Sequence, residues 1–84
     1  TPARWQQVVR HYDRVGVLAF VMDQLRRAGI NIEEVENLVF EGARAASCRI
    51  QLHGEPAPEL LSALKAGNSD IIGLETLRLE SANA

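Results

Sequence analysis

Between Gly16 and Ala28 the apolar residues Val17, Leu18, Val21, Leu25 and Ala28 return at three- and four-residue intervals. On a helical wheel they gather within roughly 100°, the stripe of an amphipathic helix. Gly29 follows the last of them, where a glycine commonly ends a helix. A different rhythm governs AASCRIQL (45–52): Ala46, Cys48, Ile50 and Leu52 alternate with Ser47, Arg49 and Gln51. That is a half-buried strand, and the clearest period-two signal in the chain.

The remaining segments fall in around these two. WQQVVRH (5–11) reads as a strand, bounded by the turn-forming Asp13. INIEEVENLVF (30–40) mixes Ile, Val and Phe in short alternations, and its Glu33-Glu34 pair predicts a bulge or bend. EGAR (41–44) supplies the glycine that a tight hairpin needs for positive φ. Pro58 suits the first turn of a second helix, ELLSALKAG (59–67), with Leu60, Leu61 and Leu64 on one face and Gly67 at its close. IIGLETLRL (71–79) is a last strand, and ESANA (80–84) a polar tail expected to fray. The order β-α-β-β-α-β predicts an α+β fold, the ferredoxin-like sandwich: a four-stranded antiparallel sheet with both helices on one face.

Length and composition narrow the class further. The 84 residues allow a single domain over 1–84, its core about 5–79. A globule of this size buries roughly 60 to 65% of its unfolded surface, which leaves its stability modest. With 46% hydrophobic and 24% charged residues, the chain is a foldable one rather than a disordered one. The net charge of −2 and scattered basic residues argue against nucleic acid, which needs a basic stripe with stacking aromatics. No apolar run approaches the ~20 residues of a membrane span, and the opening Thr-Pro-Ala-Arg-Trp is no signal peptide. The single cysteine, Cys48, excludes an internal disulfide and a cysteine-based metal cluster, and in its apolar run it reads as buried and inert. A reduced cytoplasmic location is expected, and the missing initiator methionine suggests a piece of a longer chain.

Enzymatic chemistry finds little support. His11 and His53 lie at different strand ends, the carboxylates are mostly consecutive, and no nucleophile has a credible base. No catalytic residues, metal ligands or cofactors are expected. The polar residues with chemistry to offer flank the first helix. Gly16 relieves crowding where strand turns into helix, and without a Cβ it also lets an anion approach the free N–H groups of the helix start. Asp13 suits an N-cap or Asx turn, or an ammonium partner. His11, at a strand end, is expected to be solvated yet able to donate to a carboxylate or hydroxyl. Asn31, opening the second strand, either satisfies the helix end or offers a ligand its amide. Phe20 and Met22 lie about 100° to either side of the helix's apolar centre and predict a second contact surface, with edge strands pairing across a symmetry axis in a homodimer.

Taken together, HYDRVGVLAFVMDQLRRAGINIEEVENLVFEG resembles the ACT domain, a small regulatory module that binds amino acids and related metabolites. The family signature matches as Asp13-Arg14-Val15-Gly16-Val17-Leu18 and Gly29-Ile30-Asn31-Ile32, and the resemblance covers about residues 7 to 79. More narrowly, GINIEEVENLVFEGARAASCRIQL (29–52) is similar to the C-terminal regulatory domain of D-3-phosphoglycerate dehydrogenases. That resemblance implies an allosteric module of serine biosynthesis, with L-serine or a related amino acid held at a dimer interface by His11, Asp13 and the Val15–Gly16 backbone of one chain and Asn31 of the other. It also implies a catalytic domain in the parent chain. Two departures stand out: Asp13 replaces an amide, giving an acceptor only, and Val15 replaces a loop proline.

Overall fold

The computed structural model describes residues 4–39, 42 and 44–79. The elements are β1 (Arg4–Tyr12), α1 (Val17–Arg27), β2 (Asn31–Val39), β3 (Ala45–His53), α2 (Pro58–Gly67) and β4 (Ile71–Leu79). They form one antiparallel sheet in the order β2-β3-β1-β4, with α1 and α2 together on one face. The expected sandwich is thus what the chain builds. The predicted contributions of Phe40, Glu41 and the ESANA tail lie outside the described residues.

Local chemistry accounts for the element boundaries. Gly16 enters α1 at φ +91° and Gly29 leaves it at φ +74°, both conformations that favour glycine. At the far end the Ile30 N–H donates to the Leu25 carbonyl and the Gly29 N–H to that of Arg26, which satisfies the last turn through the backbone alone. Arg26 and Arg27 close on Asp23 along the solvent side and hold its carboxyl below the usual carboxylate range. In β2 the register shifts between Ile32 and Glu34, so Glu33 is the extra residue of a bulge, as the paired glutamates predict.

The core lies between helices and sheet. α1 supplies Val17, Val21 and Leu25, and α2 supplies Leu60 and Leu64. β3 delivers its alternating set, Cys48, Ile50 and Leu52, with Val9 from β1 and Ile71 from β4 in the sheet's other half. Two polar residues, Gln7 and His11, share that buried face. Gln7 is fully buried on β1, where its amide nitrogen donates to the Val8 and Glu75 carbonyls and its oxygen accepts from Thr76 Oγ1 at 2.6 Å. With its donors and acceptor both used, the amide carries little desolvation penalty.

Phe20 and Met22 both pack against the core, on opposite flanks of α1. The Phe20 ring lies over the last turn of α2, where a Cβ at Gly67 would come within 2.6 Å of its Cζ. Phe20 therefore serves the contact between helices of the same chain. Gly67→Ala is expected to destabilise the chain by about 1 kcal/mol, the overpacking outweighing alanine's better helix propensity. In a Phe20→Ala background the same change is expected to be neutral or stabilising; urea unfolding of the double-mutant cycle measures the difference.

Candidate functional site

The loop joining β1 to α1 is anchored from two sides. The Tyr12 N–H donates to the Asp70 carbonyl just before β4, and the Asp13 N–H donates to the Arg44 carbonyl just before β3, both at 2.8–2.9 Å. The Arg14 guanidinium reaches the Asp70 carboxylate at 3.2 Å, which ties the loop to the α2–β4 turn a second time. Between these anchors the loop projects freely: Val15 is fully exposed.

Gly16 is the N-cap of α1 and carries no side-chain cap. The Phe20 N–H reaches the Gly16 carbonyl, while the Leu18 and Ala19 N–H groups of the first turn have no backbone acceptor among the described residues. A Cβ at Gly16 would meet nothing within 4 Å, so the N-cap position itself is uncrowded. Asp13 is not the cap. Its side chain is exposed and makes no hydrogen bond or ion pair among the described residues, leaving a carboxylate beside a helix N-terminus that has no acidic residue in its first turn. The loop thus offers an acceptor of cations next to donors for anions.

His11 departs from the expectation of a solvated strand-end residue: it is 1% exposed. The reason lies on the neighbouring strand. His11 pairs in register with Ala46, whose small side chain leaves room for the imidazole to extend over β3 toward β2. Nδ1 lies 2.9 Å from the Tyr12 carbonyl and Nε2 lies 3.1 Å from the Asn37 side-chain oxygen. The Tyr12 carbonyl can only accept, so the ring donates to it through Nδ1, and Nε2 faces the Asn37 side-chain amide. The ring braces the start of the site loop against the edge strand. Asn37 is not among the residues that the sequence singles out. Once the bulge at Glu33 is counted, though, it falls with Ile32, Val35 and Val39 on the helix-facing side of β2, a lone polar position in an apolar set.

Asn31 stands apart. It opens β2 opposite His53, in the same row as Arg4, whereas His11 and Tyr12 lie at the opposite end of the sheet. α1 runs between the two ends with eleven residues, about 16 Å of helix. Within one chain, then, His11, Asp13, Val15 and Gly16 come together and Asn31 does not join them. Nor does Asn31 complete the helix end, which the backbone already satisfies.

The remaining chemistry is quiet. Cys48 is buried among core side chains, and burial pushes its thiol up, which keeps it protonated and unreactive. Among the described residues no group of His, Cys, Asp and Glu side chains is arranged to hold a metal ion. No described helix is long and apolar enough to cross a membrane.

No family model matches the sequence, and no curated protein matches it. Solved structures do. The C-terminal domain of the MgtC protein from Mycobacterium tuberculosis superposes with a TM-score of 0.71 at 15% identity, over 96% of this chain and 92% of that one. The ACT domain from the GTP pyrophosphokinase of Chlorobium tepidum gives 0.70 at 14% identity, over 92% of this chain and all of that one. The regulatory subunit of aspartate kinase from Thermus thermophilus gives 0.65 at 22% identity, over 93% of this chain and 50% of that subunit. At these identities the likeness is one of fold, and the fold is the βαββαβ sandwich that ACT domains share.

Proposed function

We propose that the chain is a non-catalytic regulatory module that binds a small amino acid at the interface of two copies and reports its presence to a catalytic domain in a longer protein. The observation that carries this reading is the first loop, where the exposed Asp13 shortly precedes Gly16 and the uncapped N-terminus of α1. A free α-amino acid carries both complementary charges on adjacent atoms: its ammonium suits Asp13, and its carboxylate suits the Leu18 and Ala19 N–H groups reached past Gly16. Val15 contributes its backbone to the rim. His11 lies beneath, holding the Tyr12 carbonyl, and its Nε2 is the atom a ligand side chain would take over from Asn37.

The edge strand β2 supports the dimer. It exposes Val35, Leu38 and Val39 along an unpaired strand, and Met22 adds a half-buried apolar side chain from α1. Antiparallel pairing of two β2 strands about a two-fold axis would bring Asn31 of each copy to the Val39 end of the other. That is the end of the sheet where the His11–Gly16 loop sits. An amide with both donor and acceptor would then meet the ligand from across the interface. A ligand shared by two chains favours one arrangement of them, and an attached domain that senses the arrangement is regulated by that coupling.

The finer reading is L-serine as ligand and a D-3-phosphoglycerate dehydrogenase-like parent, supported by the signature residues around Asp13 and Asn31. Titration calorimetry of the chain with each of the twenty amino acids tests it: L-serine or a close relative is expected to give saturable heat at one site per chain. Silence from all twenty, with the chain dimeric in sedimentation, overturns ligand binding and leaves a dimerisation module.

A further inference from the structure

The face of the sheet away from the helices carries a second concavity, separate from the loop site. It is an open depression of about 210 Å³ lined by Arg10, Ala45, Ala46, Ser47 and Ile72. The strand register explains how it arises. Across the sheet, Arg10 on β1 is paired with Ser47 on β3 and with Gly73 on β4. A long side chain thus stands between two of the smallest. At Gly73 an added Cβ would lie 3.2 Å from Nη2 of Arg10 and 3.5 Å from its Nε, so the guanidinium lies over β4 close against the glycine.

Among the described residues the charge there is uncompensated. Arg4, Arg14, Arg26, Arg27 and Arg49 each have a carboxylate within ion-pair distance, and among the described residues Arg10 has none. Glu75, on the same face of β4 one row away, pairs in register with Val8 and forms no ion pair with Arg10. The lining is mixed in kind: a guanidinium and a hydroxyl together with the apolar Ala45 and Ile72. A guanidinium presents a planar fork of N–H donors that matches a carboxylate, and Ser47 Oγ can donate a further bond. The apolar part suits a few methylenes.

We infer that this concavity is a binding site for short aliphatic carboxylates, with Arg10 and Ser47 holding the carboxylate and Ala45 and Ile72 the hydrocarbon. It is built from different residues than the amino-acid site and does not depend on it. Nor does it require an α-ammonium, for no carboxylate is among the residues that line it.

Sodium butyrate is the probe, followed by amide chemical shifts of the 84-residue chain in nuclear magnetic resonance, with sodium chloride as the matched anion control. Butyrate is expected to shift the Ser47, Ile72 and Gly73 amides along a single saturating curve with a Kd on the order of millimolar. Arg10→Gln, which removes the charge and keeps a polar side chain, is expected to abolish saturation. Arg49→Gln on the same face is expected to leave the curve unchanged. Dispersed spectra of each variant establish that it folds. Shifts that grow linearly without saturating, that chloride reproduces, or that persist in Arg10→Gln overturn the inference.

Discussion

Leu25→Ala is expected to bring the chain close to unfolding at 37 °C. Leu25 has no exposed surface and joins Val17 and Val21 in the stripe that seals the sheet. It also occupies the position whose carbonyl accepts the Ile30 N–H at the end of α1, with Ile30 packed against the same core. Truncating such a leucine removes its transfer free energy and leaves a cavity, about 2–5 kcal/mol in comparable cores. A domain of this size draws on a total nearer the lower end of the ~5–15 kcal/mol typical of native proteins. Alanine is the better helix former, so the loss cannot be assigned to helix propensity. Urea unfolding followed by circular dichroism is expected to show a midpoint lowered by at least a third. Val15→Ala, at a fully exposed loop position, should move it negligibly. An unchanged midpoint for Leu25→Ala would mean that the helix does not seal the sheet as described.

The contrast between Leu25 and Val15 is legible in the bare sequence, because it rests on periodicity. The stripe of α1 and the alternation of Ala46 to Leu52 each belong to one element, and a single element's period needs no knowledge of its neighbours. The same holds for Gly16 and Gly29, whose positive φ angles are local demands of a helix start and stop. Glu33 can be read as a bulge because two successive glutamates break the alternation of a strand that must bury one face. What the sequence does not disclose is set by residues brought together from different elements. His11 is buried because Ala46 across the ladder is small, and the pairing of those two positions exists only once the register is fixed. Helical spacing places Phe20 and Met22 on opposite flanks, but strand order decides which flank meets α2. Asn37 hides for a related reason. Its side of the sheet is reversed by the extra residue at Glu33, and an unbulged count puts it facing solvent. The Arg10 concavity likewise depends on Ser47 and Gly73 flanking one side chain, a coincidence of three strands.

Mixing two defective chains is expected to restore binding that neither shows alone. Asp13 and Asn31 lie at opposite ends of the sheet, so a ligand that needs both must lie between two copies. Asp13→Ala removes the ammonium partner and Asn31→Ala the amide; hydrogen bonds to a charged group are each worth about 1.5–3 kcal/mol, so either loss weakens binding roughly ten- to a hundredfold. Both residues are exposed, and neither change touches the core. In a mixed dimer one site receives both lesions and the other receives none. Free exchange of equal amounts therefore restores about a quarter of all sites, at full affinity, by the symmetry of a two-fold interface. Calorimetry of the mixture with the amino acid that binds the unaltered chain measures that fraction directly. A site contained within one chain predicts the opposite, since each variant would then carry its own lesion into every dimer and mixing would restore nothing. The stoichiometry thus separates a shared pocket from a private one even where the affinities of the single variants look alike, and it does so without reference to which enzyme the module serves.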